Sequence, residues 1–344
     1  MSIYKTVAML RAMNPNQGEV TNNFLLDTLF QTVELSATET VEIDIIKGDE
    51  RLAPFCTPIV GGKLMEEQGF KTNVYTPAYV KPMFTITAAN AITDRVAGES
   101  PYSESSPAQR ASIRLAKMLS DGEMQINRRE EWMAAQGIVT GKVNIIGEGV
   151  NREIDFGMNP AHLITLSGTS EWSDAGSKPL DDMSSWSTLI SDNGNANADI
   201  IIGGKDAIQA LFAHESVTKV LDNRRITMGL IEPKLLAKGV VYYGTIISNG
   251  VNVEVYQYTG SYVDDAGVRQ RFIPDGHIVM TSTTADFRRN FGAIADFDAG
   301  LASIPIFPKY WTKDDPSARF VLLKSAPLPA PHQIDAIVSV QVVS

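Results

Sequence analysis

The 344-residue sequence has one cysteine, Cys56, and only four histidines. A single thiol excludes an intrachain disulfide and any zinc site built from cysteines, and it suits assembly in a reducing compartment. The histidines, His162, His214, His277 and His332, are too widely spaced for any pair to hold a metal from one helix face. No run of about 18 apolar residues occurs, so no membrane-spanning helix is expected. Residues 1–14 carry Lys5 and Arg11 without the apolar stretch of a secretory signal, so export by that route is not expected either. Basic residues are also scarce: 30 Lys plus Arg stand against 40 Asp plus Glu, a formal charge of −10. That is the wrong sign for holding nucleic acid by neutralising phosphates, though it suits the wall of a container that must not trap a polyanion inside it.

Catalytic signatures are missing too. Gly203, Gly204 and Lys205 sit between a strand pattern and a helix pattern, but a phosphate-binding loop needs a longer glycine loop followed by Ser or Thr. Here Asp206 follows and would repel an anion, so a plain strand-to-helix turn is expected. Gly147 and Gly149 read as a hairpin turn, because the third glycine of a dinucleotide fingerprint is absent. No GxSxG elbow occurs, and nothing around Cys56 marks a nucleophile. The carboxylate doublets Asp181 and Asp182, Asp264 and Asp265, and Asp314 and Asp315 lie in turn-like settings, where solvated turn residues are the ordinary case. No catalytic, cofactor-binding or metal-binding residue is assigned. A soluble hydrolase or transferase is a class without a supporting motif.

What is present is a well-ordered globular chain, 44% hydrophobic and 20% charged, long enough for two or more sub-domains. Residues 1–35 read as an extended arm with one short helix near Phe24, Leu25, Leu26, Leu29 and Phe30, or alternatively as a frayed terminus. Val41 to Ile46 alternates like a strand, and the alternation returns from Asn73, flanked by Pro77 and Pro82, as an edge strand. Ser106, Pro107 and Gln109 form a helix start, and Gly137 a helix stop, which predicts a rod of about 45 Å. Its apolar stripe is Leu115, Met118, Leu119, Met124, Ile126 and Met133, with Arg128, Arg129, Glu130 and Glu131 clustered in the last turns. A hairpin is expected from Ile138 to Phe156, then a strand and a helix from Asp199 with Asp206 as N-cap. A strand pair follows over Val240 to Tyr258. Tyr256 to Val263, Phe272 with Ile273, and the residues after Gly276 suggest three strands joined by turns at Asp264 to Gly267 and Pro274 to Gly276. This mixture of local and crossover strands around a few helices predicts an α+β fold.

Basic doublets occur at Arg128 and Arg129, Arg224 and Arg225, and Arg288 and Arg289. Salt bridging to the acidic residues is the expectation for each. Arg128 and Arg129 are the pair singled out for DNA contact if any doublet makes it.

Several blocks, read in order, resemble one family: TPAYVKP at Thr76, GTSEWS at Gly168, LDNRR at Leu221, the hairpin at Tyr256, FIPDG at Phe272, PKYWTKDDPSARF at Pro308 and SAPL at Ser325. Together they are similar to the major capsid protein E family of lambda-like tailed phages, over nearly the whole chain. The resemblance implies the tailed-phage capsid (HK97-like) fold: an N-terminal arm at 1–39, an E-loop at 40–82, and a peripheral domain at 83–160 with a spine helix at about 107–136. It further implies an axial domain at 161–284, a return through the peripheral domain at 285–325, and a terminal strand at 326–344 that rejoins the axial sheet. A hairpin as long as the E-loop is marginal alone and is expected to lie on a neighbouring copy.

The function implied is self-assembly, through hexamers and pentamers, into the icosahedral head shell of a tailed phage or prophage, with no enzymatic activity and no cofactor. Implied partners are a scaffolding protein, a portal, a decoration protein and packaged double-stranded DNA held non-specifically. The location is the virion, after assembly in the host cytoplasm. Lys47, Lys63 and Lys71 lie where some relatives form an isopeptide weld, but lambda-type shells are reinforced by a decoration protein and no weld is expected. An encapsulin-like nanocompartment is the alternative, separable by whether shells enclose DNA or a cargo enzyme.

Overall fold

The computed structural model describes residues 23–46, 70–87, 107–218 and 234–344, the last without 238, 249, 301, 302 and 316. Helix α1 (Phe24–Thr28) leads into four strands, β1 (Thr32–Leu35), β2 (Val41–Ile46), β3 (Phe70–Tyr75) and β4 (Met83–Thr87). The 34-residue helix α2 (Pro107–Thr140) follows, then a hairpin of β5 (Lys142–Gly147) and β6 (Val150–Asp155). The middle of the chain holds β7 (Leu163–Thr165), α3 (Pro179–Gly194), β8 (Ile200–Gly203) and α4 (Lys205–Ala213). Next come β9 (Lys234–Ala237), β10 (Val240–Ser248), β11 (Val251–Tyr258), β12 (Ser261–Val263), β13 (Arg269–Arg271) and β14 (His277–Thr281). The chain ends with β15 (Phe287–Phe291), β16 (Phe307–Lys313), β17 (Ala318–Lys324), β18 (Pro327–Pro331) and β19 (Val338–Gln341). Ser106, Cys56, Lys47, Lys63, Arg224, Arg225 and the side chain of Lys71 lie outside the described residues.

A seven-stranded mixed sheet, in the order β7-β19-β14-β8-β11-β10-β9, forms the centre of one half of the chain. Its central strands β8 and β14 are apolar on both faces, as strands covered from both sides must be. Ile201, Val253, Val255, Met280 and Val340 pack against α3 and α4, while Ile200, Ile202 and Val279 turn into a second core with α1, α2 and β18. On the helix side Trp172 stacks on Trp186, ring centroids 5.7 Å apart. Each fully buried aliphatic side chain such as Ile201 or Val253 contributes roughly 1.5–3 kcal/mol. Strand β19 pairs with β14 and β7. Helix α3 starts with Pro179, carries Asp181 and Asp182 in its first turn and closes on Asn195 at φ 47°. Each choice suits its position along the helix dipole and cap.

The other half is built along α2. Its N-terminal part packs Leu115, Leu119 and Ile126 onto Val321 and Leu323 of the sheet β16-β17-β4. Its C-terminal part enters the core shared with the seven-stranded sheet through Met133, Ala134 and Ile138. A third sheet, β1-β15-β18, closes that core.

Three expectations change. Gly137 does not stop α2, which continues to Thr140; the cap is Gly141, at φ +71°. Gly137 instead admits the ring of Phe156, which a Cβ there would meet at 3.3 Å. The hairpin therefore begins at Lys142, and Ile138 belongs to the helix core. Tyr256 to Val263 is not one strand: β11 ends at Tyr258 and β12 starts at Ser261 in a separate ribbon with β13. Between them the amide of Thr259 donates to Gly239, and that of Phe272 to Gly260. The N-cap of α4 is Gly204, with Asp206 in the first turn. A Cβ at Gly204 would lie 2.2 Å from the carbonyl oxygen of Pro274, so the turn passes too close to backbone for any other residue. The short helix expected near Phe24 is present as α1, and Leu25, Leu26, Leu29 and Phe30 are buried in this chain's own core.

Candidate functional site

The acids near the end of α2 occupy an unexpected place. Glu130 and Glu131 are adjacent, and both are buried. Consecutive helix positions point about 100° apart, so the two carboxylates reach different elements. Glu130 accepts from both Nε and Nη2 of Arg289 on β15, the former at 3.1 Å. Burial pushes the Glu130 carboxyl upward and Arg289 opposes that push.

Glu131 faces α1. Its Oε1 accepts from the Leu25 amide at 2.8 Å and from the Tyr258 hydroxyl at 2.8 Å, and its Oε2 accepts from the Leu26 amide at 3.1 Å. The local N-cap, Asn23, makes no side-chain cap bond, so a residue 106 positions away supplies the acceptors that the free amides of α1 need. Burial raises the Glu131 carboxyl to about 7, against the lowering effect of these three donors, and nearby Asp27 adds to the rise. Tyr258 is raised in turn by burial and by Glu131.

Aromatic rings continue from this junction. Phe24 contacts Tyr258, Tyr258 stacks on Phe272 at 5.9 Å, Phe272 meets Tyr262 at 5.4 Å, and Tyr262 lies edge-on to Trp132. Arg129 caps the series, 5.2 Å over the Trp132 ring. There the series opens on a cleft of about 590 Å³, bounded by Arg128, Arg129 and Trp132 of α2, Ile146 of β5, Tyr262 of β12 and Asp264 of the following turn. Arg128 and Arg129 are exposed on its wall.

The other residues singled out in the sequence have structural roles. Arg288 binds Asp286 at 2.6 Å and Glu34 at 2.9 Å, so the doublet Arg288 and Arg289 is salt-bridged throughout. His162 is fixed between the Ile337 carbonyl at 2.8 Å and the Asn193 amide at 3.0 Å. His214 contacts the Ser216 hydroxyl at 2.7 Å, and burial lowers the pKa of His277. Asp182 accepts from the Trp172 indole at 3.0 Å, and burial raises its carboxyl. Asp264 accepts from the amides of Ala266 and Val268, which hold its hairpin turn and lower its pKa. Asp314 and Asp315 are exposed in the β16–β17 turn. The four histidines are not brought together, and among the described residues no three His, Cys, Asp or Glu side chains form a metal-binding group. The buried acids act as acceptors for fixed donors, which makes the junction a clamp joining α1, α2, β11 and β15. Sequence reasoning noticed the Glu130 and Glu131 cluster but not its burial, because two adjacent acids near two arginines look like a solvated face.

The family model for phage major capsid protein E matches residues 5–342. The chain is 31% identical to the major capsid protein of Escherichia phage lambda over 351 aligned positions, covering 99% of both chains. It is 30% identical to the major capsid protein of Enterobacteria phage phi80, again over 99% of both. Among solved structures, a candidate capsid protein of an E. coli CFT073 prophage superposes with a TM-score of 0.72 at 22% identity, covering 98% of this chain and 99% of that one.

Proposed function

Because the chain belongs to the phage major capsid protein E family, a family of structural capsid proteins, we propose that its copies close into the icosahedral head shell around the double-stranded DNA of a tailed phage or prophage. The observation that carries this reading is the match to the lambda protein over 99% of both chains. No helix among the described residues is long and apolar enough to cross a membrane.

On this reading 1–39 is the N-terminal arm, 40–82 the E-loop, 83–160 the peripheral domain with α2 as its spine, and 161–284 the axial domain. Residues 285–325 return through the peripheral domain, and 326–344 rejoin the axial sheet. The ribbon of β2 and β3 supports the E-loop assignment: its base is anchored on its own chain by buried Val41 and Ile43 and by the Tyr75 hydroxyl, which donates to the Asp155 carbonyl at 2.6 Å. Copies assemble as hexamers and pentamers in the host cytoplasm with a scaffolding protein, join a portal, and accept a decoration protein in the virion. Packaged DNA is held non-specifically, with exposed Arg128 and Arg129 as the contact pair.

Particles purified from a producing host test this. The expected content is double-stranded DNA, released only after the shell is opened. Shells filled instead with a cargo enzyme and free of nucleic acid would overturn the reading. Unaltered DNA retention with Ala at both 128 and 129 would remove the arginine assignment alone.

A further inference from the structure

The cleft bounded by α2, β5 and the β12–β13 ribbon draws its cations from α2 alone. Gln125, Arg128 with Arg129, Trp132 and Gln136 recur every three to four residues, so they share one face of the helix, and that face lines the cleft. The acids that follow directly in sequence are not available to these arginines. Glu130 is held by Arg289, and Glu131 by α1 and Tyr258. Among the described residues the Arg128 guanidinium has no ion-pair or hydrogen-bond partner, and Arg129 has only the Trp132 ring.

Negative charge lines the cleft from a different element, the turn after β12. Asp264 spends its carboxylate on the amides of Ala266 and Val268 and on Gln270. Asp265 is exposed and has no partner among the described residues. The lining also holds the half-buried rings of Trp132 and Tyr262 and the side-chain amides of Gln136 and Asn144. Unspent cations, an unspent carboxylate, aromatic surface and amides thus meet in one cavity of about 590 Å³, the size of a small-molecule site.

We propose that this cleft binds a nucleoside phosphate, with the phosphate on Arg128 and Arg129, the base against Trp132 and Tyr262, and the donors of sugar or base towards Asp265. Guanidinium groups with free donors take a phosphate through paired hydrogen bonds. Aromatic surface beside them takes a base, whose π-face stacks whatever its sequence, and side-chain amides supply both donors and acceptors for its edge. Asp265 repels a second phosphate but accepts from a hydroxyl or an amino group, so a single nucleotide fits better than a bare polyphosphate or the continuous backbone of a duplex. A glutamate-rich peptide would match the arginines alone. The same groups are presented by a free nucleotide and by an unpaired residue of a nucleic acid. The site is complete within one chain, so it goes beyond the shell-forming reading, and its failure would leave that reading as it stands.

Calorimetric titration of dissociated subunits tests this, with adenosine diphosphate, pyrophosphate, adenosine, a short 5′-phosphorylated single-stranded oligodeoxynucleotide and a hexaglutamate peptide as probes. The diphosphate is expected to bind once per chain, and about tenfold or more tightly than pyrophosphate or adenosine. Replacing Arg128→Ala and Arg129→Ala together should weaken it by about tenfold or more. Arg128→Ala alone, which removes no internal contact, should act in the same direction and carries the test if the double variant loses its fold by circular dichroism. An oligonucleotide that displaces the diphosphate and binds more tightly makes a nucleic-acid strand the source, whereas tighter binding of the diphosphate makes it a free nucleotide. Absence of diphosphate binding, pyrophosphate binding as tightly as the diphosphate, or unchanged affinity in the folded variants would each overturn the proposal. Hexaglutamate binding more tightly than the diphosphate would overturn it too and assign the cleft to an acidic protein segment.

Discussion

The Tyr258 hydroxyl donates to the Glu131 carboxylate across 2.8 Å, tying the last strand residue of β11 to the C-terminal part of α2. The same carboxylate holds α1 by its first amides. A single buried acid therefore fixes the relation of three elements distant in sequence. Its carboxyl is raised to about 7 from 4.5, and burial is the main cause. A folded-state value above the unfolded one means stability that is complete below pH 4.5 and lost as pH rises through 7. Dissociated subunits should lose about 3 kcal/mol over that window, and raised values at Glu130 and Asp27 act in the same direction. Urea titrations at pH 5 and pH 8 measure this. Glu131→Gln should flatten the dependence, and an unchanged slope in that variant would assign it elsewhere.

Tyr258→Phe removes one donor to the same carboxylate while keeping the ring that stacks on Phe272. A buried charged acceptor losing a partner costs about 1.5–3 kcal/mol. The loss should be larger at pH 8 than at pH 5, because only the ionised carboxylate needs the donor. Equal losses at both pH values would contradict the role given to Tyr258.

Asp296 has the opposite sign. Lys324 first, and then Lys309, hold its carboxyl down to about 2 from 3.8. Its contribution is present above pH 3.8 and disappears as pH falls through 2. Asp296→Asn should destabilise the subunit by about 1–3 kcal/mol at neutral pH by leaving two lysines without their shared acceptor. Thermal unfolding reads this, and a neutral result would mean the turn at Asp296 is held by Ile294 and Ala299 alone.

Gly204→Ala would place a methyl 2.2 Å from the Pro274 carbonyl oxygen, with backbone on both sides. Loss of roughly 4 kcal/mol or more is expected, read as an insoluble chain. Gly147→Ala, which meets nothing within 4 Å, should be soluble with an unfolding temperature near that of the unaltered protein.

Much of this architecture could be read in the sequence. Proline at the start of α2, glycine at strand-to-helix turns and the alternation of β10 and β11 each follow from local chemistry, so the α+β class was predictable. Errors fell where tertiary contacts override local signals. Gly137 looked like a stop because glycine usually ends helices, but here it makes room for Phe156. Tyr256 to Val263 alternates without interruption, yet a turn at Thr259 and Gly260 sends its two halves to different sheets. The Glu131 clamp could not be read at all, because its partners lie 106 and 127 positions away and nothing local marks a buried acid.

Electron microscopy of the protein expressed alone, and then together with a phage scaffolding protein, tests the central claim most directly. Closed shells or tubes built from hexameric units are the predicted result. Folded monomers that stay featureless in both preparations, at any protein concentration, would contradict it.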